Sequence, residues 1–334
     1  MPPWLEFGEA TAELRGIELR PLDGREDAAG GPDIAHVTRP ALRELRRVRK
    51  ALPKSALVID LTREGDTALN RRELRQAREA KTVLVGSGWE LGELRRRLSM
   101  PGRTAALGRP LDLDWHAPEP TLAETKGRGR DLRRFRRFHR LAGPVVLFAG
   151  PFTAAGGLDL LVEAVFVLRE RVPDLRLVAI PHGPTDERYR DRLEMRILGL
   201  GHHGILEWSP PHSEIPFWYA TAAVVCTPAR EPVSPEPAKY AAAAARPFVG
   251  SDLEPFREQV EEGVTGRLVP AGDRIALERT IEELLDDNAE QARLGEAARR
   301  KAEAEYSPAA AARALRGEWE AVREELAARG ESVL

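Results

Sequence analysis

The stretch "FAGPFTAAGGLDLLVEA" at 148–164 places an apolar run, a loop with two adjacent glycines and an apolar-periodic helix in direct succession. A strand, a Gly-rich turn and a helix N-terminus together can hold a phosphate. Unpaired backbone N–H groups and roughly half a positive charge converge at that point. Gly150 closes the strand, Gly156 and Gly157 open the helix, and Asp159 stands in its first turn. The loop itself carries no lysine, arginine, serine or acid to support a bound anion. Further on, "TPAREPVSPEPAKYAAAAARPFVG" at 227–250 gathers Arg230, Glu231, Lys239, Tyr240 and Arg246 within a short span. These are side chains that could supply the charge the loop lacks.

Other signals are weaker. Gly86, Gly88 and Gly92 in "VLVGSGWELGEL" approach a dinucleotide fingerprint, but the spacing is one residue too long and the strand is a late one. They read as a strand-to-helix turn. His202 and His203 have no acid or cysteine at ligand spacing, so no metal is expected, and no cofactor either. Cys226 lies in "AAVVCTP", which reads as a buried strand, and a single cysteine excludes an intrachain disulfide. "KGRGRDLRRFRRFHR" at 126–140 holds eight Lys/Arg against one Asp, with Leu132, Phe135 and Phe138 at helical spacing. That pattern suits a linker helix docked on a domain, or an anionic membrane surface. Nucleic acid is the weakest of its three readings.

The elements that must position these residues follow from periodicity. The chain has 334 residues, 42% hydrophobic and 31% charged, with a net charge of −2, so any electrostatic signal is local. Strand-length apolar runs alternate with helix-period segments, which predicts parallel sheets covered by helices. Strands are expected at 16–22, 33–38, 56–62, 82–88 and 104–108, then at 144–150, 175–181, 204–208, 222–228, 246–252 and 265–270. From 274 onward the pattern is helical, and "SPAA" at 307–310 is a helix start with a serine cap and a proline in the first turn. The N-terminal "MPPWLEFGEATAELRG" shows no basic flank leading into an apolar run, and no stretch approaches the roughly 20 apolar residues of a membrane span. The expected location is cytoplasmic, with peripheral contact at the inner face of a membrane through 126–140.

The order of these motifs resembles family-4 glycosyltransferases of the GT-B fold. "LFAGPFTAAGGLDLLVEA" is similar to the segment that opens their second domain, and "ILEWSPPHSEIPFWYATAAVVCTPA" to the strands that follow. "RPFVGSDLEPFREQVEEGVTGRLVPAGD" is similar to their later strand and loop, while "PDIAHVT" and "ALGRPLDLDWHAP" match the first domain more loosely. The resemblance implies an α/β fold with two Rossmann-like parallel-sheet domains facing a cleft and a long C-terminal helix. The domains would span 1–125 (shortened, acceptor side), a basic linker 126–142, a donor-side domain 143–306, and a terminal helix 307–334 packing back on the first domain.

The resemblance also implies a donor site, and here the chain departs from the pattern. The family's loop arginine falls on Pro151 and its lysine on Gly156. Its two glutamates fall on Pro232 and Tyr240, and a glycine after them is replaced within the alanine run 241–245. Each lost charge-assisted hydrogen bond is worth about 1.5–3 kcal/mol, so four losses together would weaken a nucleotide-sugar by orders of magnitude. Arg230, Lys239 and Arg246 are the candidates to compensate, with Gly150, Gly156, Gly157 and Tyr240 completing the donor-side set. His36, Asp60 and Glu231 are the catalytic candidates, the first two at strand ends facing the cleft. The expected function is a non-catalytic scaffold of glycosyltransferase type with impaired donor binding, paired with itself or with an active glycosyltransferase. The alternative is an active retaining enzyme using substituted residues.

Overall fold

The structure is a computed structural model that describes residues 34–38, 56–60, 82–85, 88–97, 103–106, 110–113, 116, 128–199 and 206–328. The chain forms two compact units, one of Met1–Pro110 with Glu305–Leu334 and one of Leu111–Ala304. The strand expected at 16–22 lies outside the described residues.

In the first unit β1 (Ile34–Thr38), β2 (Ala56–Asp60), β3 (Thr82–Val85) and β4 (Arg103–Ala106) form a parallel sheet in that order. The register pairs His36 with Val58 and Asp60 with Leu84. Val58, Val83, Leu84 and Val85 are fully buried, as parallel strands covered on both faces require. Helix α1 (Gly88–Arg97) follows β3 and buries Leu94 while Arg95 and Arg96 face outward. The terminal helix belongs to this unit; its start, Ser307, accepts a 3.1 Å bond from the N–H of Ala310.

The first helix of the second unit is α2 (Arg128–Phe138), inside the stretch read as a linker. Its apolar face docks: Leu132 and Phe135 are buried. There follow β5 (Val145–Phe152), a 3-10 turn at Ala154–Gly156, α3 (Leu158–Leu168), β6 (Arg176–Thr185), α4 (Glu187–Gly199) and β7 (Leu206–Trp208). After a second 3-10 turn come α5 (Ile215–Thr221), β8 (Val224–Thr227), α6 (Glu236–Ala243), β9 (Phe248–Ser251), α7 (Glu254–Arg257) and β10 (Gly266–Val269). The helices α8 (Arg274–Asp286) and α9 (Asn288–Glu305) follow, and α10 (Pro308–Ala328) is the terminal helix of the first unit. The ring of Phe135 stacks on Phe217 at 5.3 Å and meets Trp218 edge-on at 4.8 Å, which holds α2 against α5.

All strands of the second sheet are parallel, in the order β10-β9-β8-β5-β6-β7. The side-chain period of two splits β5 between two cores. Val146 and Phe148 join one with α3, α4 and α8, while Val145, Leu147 and Ala149 join the other with α5 and α6. The chain winds outward from β5 through β6 to β7, then returns to lay β8, β9 and β10 on the other side. Winding therefore reverses between β5 and β8, and the C-terminal ends of these two strands flank the place where open α/β sheets bind ligands. β5 and β6 both run on beyond the sequence expectation, with a register shift between Gly150 and Phe152. Pro151 has no N–H to give the ladder, and the irregularity accommodates it.

Candidate functional site

Two loops meet at the switch point: residues 153–157 after β5 and 228–235 after β8. Thr227 Oγ1 donates to the carbonyl of Ala149 at 2.6 Å, tying the strand ends together. Beyond them the backbones themselves touch. The N–H of Arg230 donates to Ala155 O at 2.8 Å. Gly157 adopts φ 75°, and a Cβ there would lie 2.0 Å from the carbonyl oxygen of Pro228. A Cβ on Gly156 would lie 2.0 Å from that of Pro151. Gly156 thus lies in a turn that leaves no room for a side chain.

The charges at this loop are closed on one another. The guanidinium of Arg230 donates to both carboxylate oxygens of Asp159, at 2.8 and 2.6 Å, and to the carbonyl of Ala154 at 2.9 Å. Tyr189, on α4, donates its hydroxyl to Asp159 Oδ1 at 2.7 Å and accepts the backbone N–H of Asp159 at 3.0 Å. Partial burial opposes ionisation of Asp159, but the hydrogen bonds from Arg230 and Tyr189 and the Arg230 charge hold its carboxyl below the usual carboxylate range. The N–H of Leu160 is taken by Gly157 O at 3.0 Å. Two donors of the first helical turn and a fork of arginine N–H groups are therefore engaged within the protein, beside a carboxylate that already answers the helix dipole.

A second group lies around α6. His182, near the end of β6, meets Glu236 at 3.0 Å, both largely buried. Tyr240 places its ring 4.7 Å from His116, 5.9 Å from His182 and 5.8 Å from Tyr219. Burial lowers the His116 pKa to about 4, against a smaller opposing effect of Asp112. Lys239 is buried in the second turn of α6, and Arg246 donates to the carbonyl of Ala220 at the end of α5. Glu231 and Pro232 are exposed.

Of the residues singled out from sequence, Gly150, Gly156, Gly157 and Arg230 come together at the switch point. Lys239, Tyr240 and Arg246 serve other contacts. His36 sits at the centre of β1 rather than at its end, because the strand runs on to Thr38, whereas Asp60 is the last residue of β2. The side chains of these two lie outside the described residues. Tyr189, His182, Glu236 and His116 escaped the sequence reading. Only His182 carried a local signal, its place between Pro181 and Gly183 at a strand end. Among the described residues no three His, Cys, Asp or Glu side chains converge as a metal site, and no helix is long and apolar enough to cross a membrane.

Comparison with known proteins places this geometry. The family model described as glycosyl transferases group 1 matches residues 130–301. The D-inositol 3-phosphate glycosyltransferase of Streptomyces avermitilis is 28% identical over 252 residues, covering 72% of this chain and 53% of that protein. The alpha-D-kanosaminyltransferase of Streptomyces kanamyceticus is 28% identical over 247 residues, covering 73% and 61%. The chain thus spans about half the length of the curated relatives it matches. Among solved structures, Anabaena Alr3699/HepE in complex with UDP and glucose superposes with a TM-score of 0.67 at 18% identity, over 85% of this chain and 77% of that one. That likeness carries the fold, two Rossmann-like domains of the GT-B type.

Proposed function

Because the chain belongs to the group 1 glycosyl transferases, we propose that it keeps their scaffold but binds a nucleotide-sugar donor weakly or not at all, and acts as a non-catalytic partner of a second copy or of an active glycosyltransferase. The Arg230–Asp159 pair carries this reading. A nucleotide diphosphate brings two or three negative charges, and the guanidinium that reaches the loop is already neutralised by a bidentate carboxylate. The incoming phosphate would have to displace Asp159 from Arg230 and Tyr189 from the Asp159 N–H. Neither Pro151 nor Gly156 offers a cation in exchange, and the chain's own carboxylate would then face the phosphate unpaired.

Thermal-shift titration with UDP, GDP, ADP and their sugars tests it. A ligand at a hundred times its dissociation constant adds about 2.7 kcal/mol of stability. The expected result is no saturable shift at millimolar nucleotide; a clear shift with any donor overturns the proposal.

A second reading, an active retaining glycosyltransferase with substituted residues, is favoured by the His182–Glu236 pair. It sets a buried carboxylate at the N-terminus of α6, beside the end of β6. On that reading Glu236→Gln or Glu231→Ala abolishes sugar transfer, measured as nucleotide release in the presence of acceptor. Turnover that neither substitution changes removes both residues from the chemistry.

A further inference from the structure

We propose that the exposed side of α2 and the turn after it dock on an anionic lipid bilayer, through Arg133, Arg134, Arg137, the ring of Phe138 and Arg140. This rests on α2 alone and is independent of the state of the donor loop. The helix is fixed flat on its unit, because Leu132 and Phe135 are buried against α5. The opposite side then faces outward, and Arg133, Arg134, Arg137, Phe138 and Arg140 are all exposed. Phe138 is 77% exposed, and among the described residues no other aromatic side chain is an exposed hydrophobic.

Several exposed arginines elsewhere on the unit meet carboxylates: Arg196 with Glu163 at 2.9 Å, Arg279 with Glu283 at 3.7 Å, Arg293 with Glu290 at 2.7 Å. Among the described residues no carboxylate pairs with Arg133, Arg134, Arg137 or Arg140. Glu214, which meets the end of α2, is held by His139 at 3.3 Å. The spacings 133–137 and 134–137 bring like charges together on one helix face, an arrangement that is mildly destabilising on its own, and Arg140 adds a further charge in the turn after the helix. An anionic surface removes that repulsion, and the guanidinium groups then hold the helix at headgroup level. The same docking takes the Phe138 ring out of water and into the headgroup–acyl boundary. A nucleic-acid backbone would use the same charges, but it offers an aromatic ring on a flat-lying helix no apolar layer to enter.

The test is co-sedimentation of the full chain with vesicles of pure phosphatidylcholine, and with vesicles in which roughly one third is phosphatidylglycerol. Binding is expected only to the anionic vesicles and is lost as salt shortens the screening length from about 10 Å at 0.1 M to about 3 Å at 1 M. Arg133→Glu with Arg137→Glu should lower the partition coefficient at least about tenfold, and Phe138→Ser should lower it without changing the salt dependence. Arg192→Glu, on exposed α4, is the control and should bind as the parent does. Circular dichroism of each variant establishes that it is folded. Equal binding to both vesicle types, or undiminished binding by the folded double variant, overturns the proposal. So does α2-dependent binding to a DNA duplex with none to vesicles, which would assign the face to nucleic acid.

Discussion

Asp159 and Arg230 are the residues on which the functional reading turns, and each makes a measurable contribution. The folded-state pKa of Asp159 is depressed, so its ionised form stabilises the fold above the ordinary carboxylate range, and that stability is lost as pH falls through the folded value. Melting temperatures of the parent and of Asp159→Asn should therefore differ at neutral pH and converge below about pH 4. A constant difference across that range would show that the carboxylate charge is not what the pair contributes. Half-exposed as it is, the pair is screened, and its effect is modest. His116 shifts stability in the same direction with pH, for a different reason. Its folded pKa lies at about 4 because burial disfavours the imidazolium, so the unfolded chain takes up a proton first as pH drops below roughly 6.5. Stability should fall between those two values. NMR titration of the His116 ring in the native protein should give a midpoint near its lowered pKa, and a midpoint near 6.5 would refute the burial argument. Neither effect was legible in the sequence. Asp159 and Arg230 could be named, but 71 residues separate them, and nothing local pairs them or adds Tyr189.

At the scale of elements, the sequence placed strands and helices well because periodicity reflects which faces are buried. All ten described strands overlap expected runs, and seven of them fall inside those runs. What it could not give was how closely two loops approach at the switch point. Gly156 reads as a position that has lost a lysine, whereas the fold makes it a position that cannot hold one. Gly156→Lys should therefore restore no nucleotide binding and should destabilise the protein by about 2 kcal/mol or more, since its Cβ meets the backbone oxygen of Pro151. Chemical denaturation with and without UDP checks both parts. The alanine run tells a related story. Ala245 occupies the left-handed region at φ 52°, where a glycine resembling the family's would sit without strain. Ala245→Gly should raise stability by about 1 kcal/mol, and a loss of stability would place the strain elsewhere.

On the scale of the whole molecule, the chain divides into two units. The second contains both cores on either side of a six-stranded sheet, with α9 anchored by Arg299, which donates to the carbonyls of Leu113 and Ala243 at 3.1 and 2.6 Å. A fragment of residues 111–304 should therefore unfold cooperatively by itself, followed by the fluorescence of Trp208 and Trp218. A broad, non-cooperative melt would show that it depends on the other unit. The sequence by itself determined the α/β class, the parallel sheets, the strand positions and the family, because alternation of apolar residues and ordered motifs are written along the chain. Only the tertiary structure decided what the phosphate-type loop does with its charges. Strand order β8-β5-β6 brings the loops after β5 and β8 into contact, and at that contact Arg230, Asp159 and Tyr189 satisfy one another. A pairing among groups so far apart in sequence is a property of topology, since hydrogen bonds and charges act over a few ångströms of space whatever the length of chain between them.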